Sequence, residues 1–428
     1  MLKVFDNKKI NIEIVLLYIL LFTSVDTILF GTNASLFFRY IPRIVGLLSS
    51  FMLLIIYFFE KKSKETRMTI LFLTIGALFL VSCLHNNNDA QGALSRFISI
   101  LTGYAIACNL ERKLFFKIFS SFVFFVCVVA IITEIIAYIA PNIFNVFPLV
   151  TNSVDHQFRT FFIGSVEVSE LGHTFIRSNG IFWEPGAFAI YIVIALIFEL
   201  FFFDSINYKR VFVEIVGMLI TFSTTGYICL FALILVFLFF RKINKVSEKK
   251  FKGFLLVAFF LAISFMVFSS EILKDEIFGK IFSQNSSAGS RFSSLYNGIA
   301  ISFKYPFFGL GDNSNEVMKE YMSTTSTWYA NGGTNINNTL TGYMASYGIP
   351  FGLLLMIGTF LSLRLKNGGK IVFILLCAVI ALAYCGERFF SFLPFVLMFF
   401  GFKNEKLIGK ETCFVANRYE KNCNYKYI

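Results

Sequence analysis

The chain has 428 residues, 57% of them hydrophobic, with 58 Phe and a formal net charge of +12 at pH 7. No soluble domain carries so many long apolar runs, so the composition predicts a membrane protein that crosses the bilayer many times. Basic residues kept on the cytoplasmic side explain the net charge, and we expect no nucleic acid partner. The eight Cys lack the spacing of a disulfide framework or a zinc site.

In chain order, stretches of roughly one span lie at residues 12–30, 41–59, 68–84, 93–108, 114–140, 186–203, 252–270 and 338–363. Two longer apolar stretches, 211–240 and 371–402, are interrupted at 221–226 and 386–388 and have basic residues at both ends. Because both ends should be cytoplasmic, each stretch is predicted to be a hairpin that crosses twice. The predicted fold class is therefore an all-α polytopic membrane protein. It has about twelve transmembrane helices, both termini in the cytoplasm, and a single membrane domain over residues 1–428.

The arms of these two hairpins are short, at roughly 11–16 residues or about 17–24 Å, against about 30 Å of hydrocarbon. Their turns are therefore predicted to be recessed in the outer leaflet, where irregular backbone is tolerated if it lines a water-filled cavity. Local thinning of the bilayer around the arms is the alternative.

Two outer loops, at residues 141–185 and 271–337, are too long to be simple connections, and loops of that length usually carry function. This topology places 27 of the 38 Lys and Arg inside and 11 outside, and the outer group contains seven Arg and four Lys. Membrane insertion gives no reason to prefer arginine outside. Arginine binds phosphate and carboxylate with a planar fork, so the outer loops are predicted to bind an anion.

The most informative short stretch begins at Arg177 and ends in Glu184-Pro185-Gly186. Proline favours the first position of a helix, so Glu184 should lie at the N-terminus of the sixth span, where the helix dipole favours an ionised carboxylate. Such a carboxylate can act as a general base or bind a sugar hydroxyl. The alternative is that Glu184 only caps the helix and pairs with Arg177.

Ser223-Thr224-Thr225-Gly226 opens the eighth span, and hydroxyls with free N–H groups at a helix N-terminus can bind an anion. Simple N-capping by Ser223 explains the same residues. Each of Arg159, Arg291 and Arg388 alone reads as a surface charge, whereas several arginines together can hold a pyrophosphate and its developing charge.

Acids inside predicted spans are functional candidates by default, but Asp26, Glu134 and Glu214 rank below the loop residues. His156 and His173 of the first loop have no acidic partner at ligand spacing, so no metal site is predicted.

These motifs resemble those of the O-antigen and capsule polymerases (Wzy type) and of the wider O-antigen ligase-like superfamily. Besides the Arg177 to Gly186 element, 221–227 is similar to the family's T-x-S-[RT]-[ST]-G element. Arg291 with Pro306 and Gly309-Leu310-Gly311 is similar to its R…P-x-x-G-x-G element, and Asn337-Asn338 with Gly348 to its H-N…G element. The resemblance covers roughly residues 175–355 by motif and the whole chain by topology.

The resemblance implies transfer of a glycan from a polyprenyl pyrophosphate, undecaprenyl pyrophosphate in bacteria, at the periplasmic face of the inner membrane, without metal or cofactor. It matches Arg177 and Arg291 to the family's functional arginines. With the reasoning above, Glu184, Arg177 and Arg291 are the candidate catalytic residues. Candidate pyrophosphate or substrate ligands are Arg159, Arg388, Ser223, Thr224 and Asn338. The implied partners are the lipid-linked oligosaccharide and membrane lipid, with a chain-length regulator and a flippase as candidates.

The predicted function is polymerisation, in which a growing glycan moves from its lipid carrier onto the next lipid-linked repeat unit. Ligase-type members often have His where this chain has Asn337, and the Glu-Pro-Gly element favours polymerase. O-antigen ligase or O-oligosaccharyltransferase activity is the first alternative. A flippase for lipid-linked oligosaccharide is the second, although the two large outer loops and the absence of a detectable inverted repeat weigh against it. A structural scaffold leaves the outer arginines unexplained.

Overall fold

The computed structural model describes residues 2–24, 27–28, 36–59, 66–151, 156–161, 163–171, 176–241, 250, 252–253, 287–311, 338–365, 369–387, 389 and 391–403. These residues are mostly helical, as the apolar pattern predicts. The helices are α1 (Leu2–Phe22), α2 (Leu36–Phe59), α3 (Thr66–His85), α4 (Ala90–Asn109), α5 (Arg112–Ile139), α6 (Pro185–Ile197), α7 (Tyr208–Ile220), α8 (Thr224–Phe240), α9 (Ser287–Lys304), α10 (Thr339–Tyr347), α11 (Ile349–Ser362), α12 (Lys370–Gly386) and α13 (Leu393–Phe402).

Three of the described helices are long and apolar enough to cross a membrane: α3, α5, and α6 extended by one π-helical turn to Phe202. Shorter apolar helices accompany them, among them α8, α11, α12 and α13. The chain thus has the character of a membrane protein. The count of twelve spans and the side of the termini stay predictions. The span expected at 252–270, beyond residue 253, and most of the loop at 271–337 lie outside the described residues.

Both predicted interruptions are confirmed as helix breaks. α7 ends at Ile220 and α8 begins at Thr224, and between them Phe222 adopts a left-handed φ of 47°. The hydroxyl of Thr221 donates to the carbonyl of Met218 at 2.7 Å, which closes the end of α7. In the second stretch α12 ends at Gly386 and α13 begins at Leu393.

The first outer loop contains a small antiparallel sheet that the all-α prediction missed. It has the order β1 (Leu149–Thr151), β2 (Gln157–Phe161), β3 (Gly164–Glu167). Phe158 pairs with Glu167, and Phe161 pairs with Gly164. Gly164 lies so close to Thr133 that a Cβ there would come within 2.2 Å of the threonine hydroxyl. Contact with α5 therefore orders this strand, and that contact cannot be read from a short segment.

Helix α6 is the centre of the molecule. Of the span Pro185–Phe202, 89% is buried inside the protein, and α5, α7, α8 and α12 pack around it. A helix that is apolar on all sides is expected to be buried on all sides. The central position of α6 fixes the place of its N-terminus and therefore of Glu184.

Candidate functional site

Three helices, α6, α8 and α10, begin around the break that separates α12 from α13. Glu387 is the first residue after α12, and it contacts a residue in the first turn of α6, the fifth residue of α9 and the first residue of α10. These residues are Gly186, Arg291 and Thr339, and Arg291 in turn contacts Thr225 in the first turn of α8. Helix N-termini carry free N–H groups and partial positive charge, so their convergence favours an anion at this point.

Two hydroxyl groups of α10 hold the backbone of the break in place. The hydroxyl of Thr339 donates to the carbonyl of Glu387 at 2.6 Å and accepts from the N–H of Phe389 at 3.1 Å. Tyr343 donates its phenol hydroxyl to the carbonyl of Phe389 at 2.9 Å. These bonds satisfy backbone groups of an irregular segment and hold the backbone of Glu387 and Phe389 against α10.

Gly186 is the reason that Glu387 can reach α6. A Cβ at Gly186 would lie 2.5 Å from Oε1 of Glu387, far inside van der Waals contact. The glycine of the Glu-Pro-Gly element therefore provides space for a carboxylate from a distant part of the chain.

Glu184 occupies the N-cap position of α6 with extended backbone (φ −140°, ψ 141°), yet its side chain makes no capping hydrogen bond. Its carboxyl instead lies close enough to that of Glu387, whose Oε1 is beside Gly186, to raise the pKa of Glu387. Burial raises the pKa of Glu387 well above its ordinary value, and the charge and hydrogen bond of Glu184 raise it further, while Arg291 and Arg177 oppose the shift. Glu184 therefore belongs to a pair of carboxyls and does not act as a helix cap.

Arg291 is held between α8 and the break. Its Nη1 donates to the hydroxyl of Thr225, and its Nη2 lies 3.8 Å from Oε1 of Glu387. The side chains of Arg291 and Glu387 are 19% and 15% exposed, so solvent reaches both only partly. The arginine thus presents its charge beside the two carboxyls.

Arg177 acts electrostatically on Glu387 and on Tyr227 of α8, and so lies near both. The backbone that carries it is anchored on both sides. The N–H of Ser178 donates to the carbonyl of Ile220 at 2.9 Å, and Ser165 of β3 binds the carbonyl of Gly180 at 3.0 Å through its N–H. The segment between the sheet and α6 is therefore held against the break between α7 and α8.

Ser223 and Asn338 both cap helices, at the starts of α8 and α10. Ser223 accepts from the N–H of Gly226 at 3.3 Å, which is the capping alternative considered for it. Asn338 accepts from the N–H of Thr341 at 2.9 Å and donates its amide to Sγ of Cys385 at 3.0 Å. Thr224 is half-buried in the first turn of α8. Direct substrate contacts by these three residues stay a prediction.

Arg159 lies on strand β2 and donates to the carbonyl of Phe147 at 2.8 Å, within the first outer loop. His156, the residue before β2, contacts Glu167 of β3 at 2.9 Å. Arg388 and Asp26 lie outside the described residues, so the expectations for them stay predictions. Within the described part of the chain, no three His, Cys, Asp or Glu side chains come together.

The glycine-rich end of the R…P-x-x-G-x-G element has a structural role, which is to pack against the junction of α10 and α11. Gly309 adopts a left-handed φ of 61°, and a Cβ there would lie 2.5 Å from the carbonyl oxygen of Ala345. Leu310 donates its N–H to that same carbonyl at 2.9 Å, and Ile349 donates to the carbonyl of Pro306 at 2.8 Å. The end of α9 is thereby tied to the junction of α10 and α11, while Arg291 near its start reaches the site.

Sequence reasoning placed Glu184, Arg177 and Arg291 in the site, but it did not select Glu387, Thr225 or Thr339. The available signal for Glu387 was that it is the single acid in the interruption of an otherwise apolar hairpin. An acid at that depth in the membrane is costly and is therefore a functional candidate. Thr225 belonged to the predicted Ser223–Gly226 motif, but the motif did not indicate that Thr225 would contact Arg291. Thr339 offered no signal, because many hydroxyls near helix starts act only as caps.

A family model described as O-antigen ligase matches residues 211–357 of the chain. The matched segment contains Thr225, Arg291 and Thr339, and it ends before Glu387. No curated protein and no solved structure matches the chain. The match over residues 211–357 confirms that this chain resembles the O-antigen ligase-like superfamily.

Proposed function

We propose that the protein is an O-antigen or capsule polymerase, which moves a growing glycan from undecaprenyl pyrophosphate onto the next lipid-linked repeat unit. The observation that supports it best is the meeting of Arg291 and Arg177 with the Glu184–Glu387 pair where three helices begin. A pyrophosphate leaving group needs positive charge, and a hydroxyl nucleophile needs a carboxylate that can accept its proton.

In the proposed reaction the acceptor hydroxyl attacks the anomeric carbon of the donor. The new glycosidic bond forms as the bond from that carbon to the pyrophosphate oxygen breaks, and the electron pair stays on the pyrophosphate. Arg177 and Arg291 stabilise the charge that develops there, and Glu184 positions the hydroxyl and accepts its proton. Positioning and electrostatic stabilisation supply the catalysis.

The length of α6 supports a site at the outer face of the membrane. The span Pro185–Phe202 has 18 residues, or about 27 Å at 1.5 Å per residue, close to the thickness of the hydrocarbon core. Glu184 precedes its start, and at its other end Arg241 donates to the carbonyls of Leu200 and Phe203. If that basic end is cytoplasmic, as the charge pattern predicts, the carboxyl pair faces the periplasm.

The remaining parts of the proposal follow from this assignment. The protein has about twelve spans in the bacterial inner membrane with both termini in the cytoplasm. Its donor and acceptor are undecaprenyl-pyrophosphate-linked oligosaccharides, and a flippase supplies them while a chain-length regulator limits the product. O-antigen ligase is the second candidate, favoured by the family match over 211–357.

The deciding experiment is a gel of surface glycan, with analysis of lipid-linked precursors, from a strain that lacks the protein. Polymerase activity predicts a single repeat unit on the normal acceptor. Full-length polymer left on undecaprenyl pyrophosphate would assign the protein as a ligase, and lipid-linked units trapped on the cytoplasmic face would assign it as a transporter.

Complementation of that strain tests the two assigned groups. We expect Glu184→Gln to lose polymer at wild-type protein levels, and Arg291→Ala to slow polymerisation by about 100-fold, the usual effect of removing one donor to a developing anion. Lys113→Gln is the control, because Lys113 is 63% exposed and forms an ion pair with the exposed Asp204 at 2.8 Å. Full polymer from Glu184→Gln would remove this residue as the base.

A further inference from the structure

The role of Glu387 is unassigned by the family match, which ends at residue 357. We propose that Glu387 carries a proton and donates it in a hydrogen bond to Glu184, so that the two carboxyls work as one acid–base pair. Glu184 is then the carboxylate that accepts the proton of the attacking hydroxyl, and Glu387 is its positioning residue. This inference rests on the proposed function and assigns a further residue of the same site.

The distance from Arg291 favours a neutral Glu387 over a closely paired carboxylate. Ionised carboxylates bind guanidinium groups with N···O distances of about 2.7–2.9 Å, whereas the distance between Nη2 of Arg291 and Oε1 of Glu387 is 3.8 Å. Arg291 donates instead to the neutral hydroxyl of Thr225. A carboxylate that is only 15% exposed would need close pairing to stay ionised.

The contact with Glu184 points the same way. Two carboxyls that lie side by side repel each other when both are ionised, and a proton on one of them turns the contact into a hydrogen bond. The charged groups that act on Glu387 are Glu184 from the start of α6, Arg291 from α9 and Arg177 from the outer segment. Arg291 also faces the thiols of Cys229 on α8 and Cys385 on α12.

A neutral Glu387 changes the charge that the site offers to a ligand. With both carboxyls ionised, Arg177 and Arg291 would be fully compensated and the four groups would sum to zero. With the proton on Glu387, the same four groups sum to one positive charge. Protonation of Glu387 therefore makes the site more attractive to the pyrophosphate leaving group.

Substitutions at Glu387 separate this role from that of a simple counter-ion. A Gln side chain donates an N–H as a protonated Glu donates its O–H, so Glu387→Gln should keep transfer within about threefold of wild type, while Glu387→Ala should lose about tenfold or more. The assay is elongation by the purified full-length protein, with lipid-linked repeat units extracted from the deletion strain. If Glu387→Gln is as defective as Glu387→Ala, Glu387 acts as an anion and the proposal is wrong.

A second measurement is independent of transfer activity. The infrared carbonyl band of a protonated carboxylic acid should be present in the purified protein near neutral pH and should lose intensity in Glu387→Gln. Glu167→Gln is the control, because Glu167 contacts His156 in the outer sheet and not the site. An unchanged band in Glu387→Gln overturns the proton assignment. If the band loses intensity in Glu387→Gln but the wild-type protein shows no elongation, the proposed function is wrong and the proton assignment stands.

Gly186 allows the geometry to be tested without altering any acid. In Gly186→Ala the new methyl group would lie 2.5 Å from Oε1 of Glu387 and push the carboxyl away. We expect elongation to fall by about tenfold or more, comparable to loss of a hydrogen bond to a charged group. The matched control is Gly46→Ala on α2, where no atom lies within 4 Å of the added Cβ. Full activity of Gly186→Ala would show that Glu387 need not approach α6.

Discussion

At the scale of single residues, a protonated Glu387 makes stability depend on pH. The raised pKa of Glu387, caused first by burial, means that the folded protein holds a proton that the unfolded chain releases above about pH 4.3. Since the folded state binds more protons in that range, the free energy of unfolding falls as pH rises from there to the raised pKa. The limiting slope for one proton is about 1.4 kcal/mol per pH unit.

The Glu387→Gln variant lacks this titrating group. Its free energy of unfolding, relative to that of the wild type, should therefore increase with pH. The measurement is thermal unfolding in detergent between pH 4.5 and 8, with Glu167→Gln as the reference variant. A difference in Tm that is constant across the range would mean that Glu387 is ionised in the folded protein, against the assignment.

Thr225 has the most specific contact to Arg291, since its hydroxyl accepts from the guanidinium. Thr225→Val keeps the shape and removes the acceptor. We expect transfer to fall by about 10-fold to 100-fold, the range for a hydrogen bond to a charged group. Thr225→Ser restores the hydroxyl and should recover most of the rate in the elongation assay. Equal rates for the Val and Ser variants would show that Arg291 is positioned by other groups.

At the scale of elements, basic residues at the predicted cytoplasmic end stabilise helix C-termini. Lys403 donates to the carbonyl of Ala107 at 2.5 Å and to that of Leu110 at 3.0 Å, beside the end of α4. Arg112 donates to the carbonyl of Ser362, the last residue of α11, at 2.9 Å. Cations are favourable at helix C-termini, so these residues stabilise helix ends in addition to contributing to the charge bias.

The π-helical turn after α6 carries a largely buried ion pair. Glu199 is 2% exposed and lies 3.3 Å from Arg210 of α7, which is 25% exposed. Removing the arginine leaves a buried carboxylate without its partner, so Arg210→Met should lower stability by about 3 kcal/mol. Lys113→Met, which breaks an exposed pair, should change it by less than about 1 kcal/mol. Similar losses of Tm in the two variants would contradict the buried role of Glu199.

The helices, both breaks and three of the site residues could be predicted because their signals are local. Apolar runs mark the helices, Gly and hydroxyl residues mark the break at 221–223, and Pro185 marks the start of α6. Glu387 required knowledge of which helix packs against the second break, and that packing depends on the small volume of Gly186. The sheet at 149–167 likewise depends on contact with α5, so sequence periodicity alone did not show it.

At the scale of the whole molecule, the charge pattern and the geometry of α6 predict which side of the membrane each end of this span faces. The carboxyl pair lies before the start of α6, and the loop at 203–207 follows the π-helical turn at its other end. The two ends of this span should therefore meet different compartments, with β2 of the outer loop on the same side as the site.

Two exposed polar residues allow a direct test of sidedness. Gln157 lies on β2 and Ser205 lies in the loop before α7, and both are exposed. In spheroplasts, a membrane-impermeant maleimide should label Gln157→Cys at once, whereas Ser205→Cys should react only after permeabilisation. The wild-type chain is the background control, because the six Cys among its described residues are buried or partly buried. Labelling of both variants without permeabilisation would contradict the crossing by α6, and the reversed pattern would place the carboxyl pair in the cytoplasm, where a periplasmic glycan transfer could not occur.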